Sequence, residues 1–117
     1  YHDHGTMEQF HSELKTDMNL ERFPSGKYGA NQIILLIGMY AYNALRAIGQ
    51  ALLNEQDLLP VKVKPGTVRK RLIHVIRYII QIAGKLVRHA GRLVFKIYDG
   101  NEWLPVFRKL HRAFQEL

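Results

Sequence analysis

Apolar side chains recur along the chain in blocks whose spacing changes at glycine and proline. In the first block, 1–20, Met7, Phe10, Leu14 and Met18 fall at helical intervals, which predicts a helix with one side on a core. Phe23-Pro24-Ser25-Gly26 closes it with a strong turn signal. The second block, 29–54, is almost continuously apolar through its first half, the pattern of a central helix buried on most sides. A linker, 55–66, contains Pro60, Pro65 and the alternating Val61-Lys62-Val63-Lys64, and is expected to be extended. The third block, 67–83, opens on Thr67 as an N-cap and puts Val68, Leu72, Val75, Ile76, Ile79, Ile82 and Ala83 on one face. Lys70, His74, Arg77 and Gln81 fall on the other, so the helix is amphipathic with a cationic outer surface. Two β-rich runs around His89-Ala90-Gly91 predict a small hairpin over 85–97. Asn101 can cap a last helix, 102–116, with Pro105 tolerated in its first turn.

These elements predict one mainly α domain of about four helices with a small β-hairpin. The second helix is its expected hydrophobic centre, with the first, third and last packed around it. Tyr40, Tyr42, Trp103, Phe107 and Phe114 are expected in the core rather than as base-stacking platforms. Ile33 to Tyr42, the longest apolar run, is ten residues, about half of the roughly 20 a membrane span needs. The expectation is therefore a cytoplasmic protein with no membrane partner; an amphipathic 67–83 helix lying on a membrane is the weaker alternative. The polar start Tyr1-His2-Asp3-His4 has the form of neither a signal peptide nor a translation start, and is expected to lie inside a longer protein.

With 117 residues and no cysteine, a redox dithiol or a cysteine-ligated zinc scaffold is excluded. Charge changes the picture more. Residues 1–60 hold four basic and seven acidic side chains, and residues 61–117 hold thirteen and three, so the two parts carry −3 and +10. A half that basic attracts polyanions, and nucleic acid leads as partner. Arg69, Lys70, Arg71, Arg77, Lys85, Arg88, Arg92 and Lys96 form its cationic stripe, suited to salt-sensitive phosphate contact. No zinc-finger spacing or aromatic RNA-recognition motif is present to imply base readout.

On the first helix, Tyr1, His4, Glu8, His11 and Lys15 are spaced by three and four residues. Residues seven apart return to nearly the same side, so Tyr1, Glu8 and Lys15 share a face opposite Met7, Phe10 and Leu14. A carboxylate flanked by cationic and hydrogen-bonding groups one and two turns away suits a divalent metal held beside phosphate oxygens. His4, Glu8 and His11 also read as zinc ligands, but three helical donors without a distant fourth seldom close such a site.

The chain here resembles the DDE-type transposases of bacterial insertion sequences, which have an RNase H-like catalytic core. Their C-terminal signature is Tyr, two residues, Arg, three residues, Glu, six residues, Lys; this sequence has Tyr1, His4 in place of Arg, Glu8 and Lys15. The similarity continues through Leu20 to Lys27, Ala30-Asn31, Ala41 to Arg46 and the basic stretch from Arg69 to Ile97. The resemblance implies the helical C-terminal part of that core. Glu8 becomes the third acid of a triad that binds Mg²⁺ or Mn²⁺ for DNA cleavage and strand transfer. Tyr1, His4 and Lys15 become contacts to transposon-end phosphates, with Arg69, Lys70, Arg77, Arg88 and Arg92 as further DNA contacts. His4 cannot make the bidentate phosphate contact of the arginine it replaces. The resemblance further implies a homodimer that synapses two DNA ends and takes no small-molecule substrate. The two partner aspartates are expected upstream of Tyr1, so these residues alone are expected to be inactive, and without the sheet Met7, Phe10 and Leu14 are expected to drive self-association. The competing reading is a free-standing basic helical module that binds nucleic acid.

Overall fold

The computed structural model describes the backbone of residues 2–116 and the side chains of residues 5–116. Helix α1 (His2–Ser12) runs into a π-helical turn, Glu13–Asp17, whose Met18 N–H returns to the Glu13 carbonyl at 3.0 Å. Helix α2 (Tyr28–Asn54) follows the Pro24 turn, where Asn31 Nδ2 donates to the Ser25 carbonyl at 2.7 Å. A 3₁₀ turn, Gln56–Leu58, leads into an irregular stretch that ends at α3 (Leu72–Val75), itself continued by a π turn, Ile76–Ile80. Strands β1 (Gly84–His89) and β2 (Arg92–Ile97) pair antiparallel, with Gly84 opposite Ile97 and His89 opposite Arg92. Helix α4 (Leu104–Gln115) closes the chain. The class is the expected one, mainly α with a two-stranded sheet.

Ala90 and Gly91 both take positive φ, 49° and 75°, the requirement of a two-residue hairpin whose twist matches its strands. Pairing puts Leu86, Arg88, Leu93, Phe95 and Ile97 on one face and Lys85, Val87, His89, Arg92, Val94 and Lys96 on the other.

The core lies where α3 and α4 return onto the C-terminal half of α2. Leu52, Val75, Ile79, Trp103, Val106 and Leu110 are its buried cluster, with Leu45, Ile48 and Phe107 packed against it. Each such side chain contributes about 1.5–3 kcal/mol by leaving water. Trp103 and Tyr78 stack with centroids 4.6 Å apart and planes within 9°. Gly49 permits the close α2–α3 approach: a Cβ there would sit 3.3 Å from Val75 Cγ2.

Several expectations change. Only half of α2 is central: Ile33, Leu36, Ile37 and Tyr40 on its N-terminal half are exposed, Ile37 at 64% and Tyr40 at 80%. Phe114 is likewise exposed, on the outer end of α4. The helix spans 27 residues and contains an 18-residue window of mean hydropathy 1.2, enough by length and composition to cross a membrane, because Asn43 and Arg46 interrupt the apolar run without ending the helix. The third helix begins at Leu72, not Thr67: the Thr67 hydroxyl donates to the Lys64 carbonyl at 2.7 Å and makes a turn, leaving Val68 exposed outside the helix. The last helix starts two residues later than expected, after Asn101 Oδ1 accepts the Trp103 N–H at 2.9 Å.

Candidate functional site: the Glu8 helix and its cationic neighbours

Helix α1 presents two chemically different sides. Glu8, His11 and Lys15 are exposed, whereas Phe10 and Leu14 are half-buried. Phe10 meets Tyr42 of α2 edge-on, centroids 5.0 Å apart, a contact that turns Glu8 outward. No described residue pairs with Glu8. Tyr1 and the side chain of His4 lie outside the described residues.

The inward side ends in a buried ionic cluster. Glu13 is fully buried, and the Asp17 side chain is only 3% exposed. Its Oε1 accepts the Leu72 N–H at 3.2 Å, and its Oε2 accepts the Tyr42 hydroxyl at 3.3 Å and the Arg69 guanidinium. One turn on, Asp17 accepts Arg71 through both oxygens, at 3.1 and 3.2 Å, and the Ile73 N–H at 3.1 Å. Arg71 also donates to Ser12 Oγ at 3.2 Å. The first N–H groups of α3 have no partner within their own helix, and Arg71 at its N-cap offers no side-chain acceptor. Two carboxylates of another helix serve instead, at the end where negative charge is favoured.

This arrangement perturbs two groups. Burial pushes the Tyr42 phenol above its ordinary range, opposed by the Arg69 charge and reinforced by Glu13. The hydrogen bond to Asp17 pushes the Arg71 guanidinium up, with the Asp17 charge adding to it.

Beside the cluster, the irregular stretch and α3 enclose a cleft of about 330 Å³. Lys62, Lys64, Lys70 and His74 line it, over the stacked Tyr78 and Trp103. Of the acids that reach this region, Glu13 and Asp17 face the opposite way, into Arg69 and Arg71.

Residues 1–117 match the family model described as transposase DDE domain group 1. The chain belongs to that family. No curated protein and no solved structure matches it. The transposase DDE domain group 1 acts on DNA in transposition, with divalent metal ions.

Within this transposase chain, the expected DNA-contacting cations are not gathered into one patch. Arg69 is an internal cation, held by Glu13 and Tyr42 with its Nε buried and unpartnered. Lys70 lines the cleft, Arg77 is exposed on the turn after α3, and Arg88 and Arg92 point to opposite faces of the hairpin. Glu13 and Asp17 were missed by sequence reasoning; their one signal is an i, i+4 acid pair on a helix, common on any solvated face. Glu8 can supply one hard oxygen ligand of the kind Mg²⁺ or Mn²⁺ takes. Among the described residues no three candidate ligands come together, since Glu13 and Asp17 are bound to arginines. The donors fit one ligand of a shared site, not a complete one.

Proposed function

We propose that this chain is a single-domain, C-terminal segment of a DDE transposase that contributes the third catalytic acid, Glu8, to DNA cleavage and strand transfer. The observation that carries the reading is the pairing of an exposed Glu8, without a partner among the described residues, with a helix anchored from its other side by Glu13 and Asp17. A ligand on a rigid helix is held to the tolerance that phosphoryl transfer demands, whereas one on a loop is not. Mg²⁺ or Mn²⁺, when bound, would activate the attacking oxygen and stabilise the leaving one. Lys15, exposed like Glu8, acts as a point charge on a transposon-end phosphate, with Tyr1 and His4 as further contacts. Arg77 and Arg92 add sequence-independent backbone contacts.

Because one free carboxylate does not make a two-metal site, these residues alone carry no nuclease activity; the remaining acids come from outside them. Synapsis of two ends requires a homodimer of the full transposase, working on chromosomal DNA in the bacterial cytoplasm. Replacing Glu8 by Ala in the full-length protein is expected to lower donor-end cleavage by more than about a hundredfold, beyond the loss typical of a ligand's supporting partners. DNA binding should stay within twofold in a gel-shift assay. Retention of cleavage overturns the assignment.

A further inference from the structure

We propose that the cleft between the 61–71 stretch and α3 is a binding site for an unpaired DNA strand, with Lys62, Lys64 and Lys70 on the phosphates and the Tyr78–Trp103 stack as its apolar floor. The inference deepens the transposase reading and rests on it for the identity of the polyanion.

Charge is the first argument. Arg69 and Arg71 also border the cleft, but their guanidinium groups are spent on Glu13 and Asp17. Between them Lys70, its Cβ against Gly49 of α2, lines the cleft with no acidic partner among the described residues, so the two arginines fasten the wall and Lys70 is left for a ligand. Lys62, Lys64 and His74 have no acidic partner among the described residues, and no acidic side chain lines the cleft. Uncompensated cations in a concavity with low-dielectric walls concentrate anions more strongly than the same charges on a convex surface.

Shape is the second argument. A volume of about 330 Å³ is at the small end of ligand-sized pockets, room for a short stretch of one strand rather than for a duplex. Aromatic rings beside a cationic groove are the recurring apparatus for single strands, because every base and sugar presents an apolar surface whatever the sequence. The base of the hairpin holds a comparable hollow of about 380 Å³, but only two cations, Lys85 and Lys96, line it, beside Tyr98.

The test is fluorescence anisotropy of the full chain with a labelled 20-nucleotide single strand and with its duplex, across a salt series. Each phosphate contact contributes about 0.7 to the slope of log affinity against log salt for single strands. The K62Q/K64Q/K70Q variant is expected to lose about two units of slope for the single strand and much less for the duplex, while K85Q/K96Q keeps the single-strand slope. Lys62 and Lys64 are exposed, whereas Lys70 is half-buried with its Cβ against Gly49. Should the triple variant melt early, Lys64→Gln alone, at an exposed position, should still lose about 0.7. An unchanged single-strand slope in the cleft variants overturns the site while leaving the transposase reading intact. Wild-type chain that binds neither DNA overturns the cleft and the DNA-contact part of that reading together.

Discussion

The two halves of α2 are similarly apolar and meet opposite fates. From Leu45 onward the helix is gripped by α3 and α4, with Gly49, Leu52 and Leu53 buried. Before Tyr42 it meets little beyond the turn at Leu20, whose side chain sits over Gly38, and Ile33, Leu36 and Ile37 stay in solvent. Hydrophobicity along a helix says that a face needs a partner, and the topology decides which part receives one. The ionic cluster at Glu13 sits at the boundary between the two halves, through Tyr42, and determines where α3 joins.

The comparison breaks most severely at that boundary. Glu13→Ala leaves Arg69 buried without its counter-charge and the Leu72 N–H without its acceptor, and is expected to cost about 3–5 kcal/mol, read as a lowered urea midpoint. Next comes a matched pair of truncations. Leu52→Ala in the gripped half should cost about 2–5 kcal/mol, while Leu36→Ala in the exposed half should change stability by less than about 0.5 kcal/mol. The same exposed half is expected to drive self-association, as large apolar patches do, so an I33S/L36S/I37S variant should scatter light at a lower mass than wild type; equal masses would break this half of the contrast. The smallest effect is in pH. Burial raises the Tyr42 phenol, so its contribution is fully present below the ordinary tyrosine range near pH 10 and is lost as pH rises through the shifted value. Tyr42→Phe should lose less stability than wild type between about pH 9 and pH 11, measured by urea unfolding at each pH.

Much of the fold is legible in the sequence because its signals are local. The hairpin follows from Ala90-Gly91 between β-rich runs, and α4 from its apolar stripe behind Asn101. The start of α3 is not legible, since its cap comes from Glu13 and Asp17, 59 and 56 residues away, and no local pattern encodes a tertiary cap. Thr67, the local candidate, spends its hydroxyl on a turn. Of the candidate site, the outward placement of Glu8 and Lys15 follows from helical spacing. The division of the basic stretch into structural arginines and free lysines does not, because Arg69, Lys70 and Arg71 read as three equal charges until their partners are known.

The central claim is that α1 and the π turn that continues it separate chemistry from structure, with Glu8 facing out for the reaction and Glu13 facing in for the fold. The most direct test compares Glu8→Gln and Glu13→Gln in the full-length transposase, following melting temperature and donor-end cleavage for each. The account predicts that Glu8→Gln melts with wild type and does not cleave, whereas Glu13→Gln melts several degrees lower. A Glu8→Gln protein that still cleaves, or that is destabilised as much as Glu13→Gln, would contradict it.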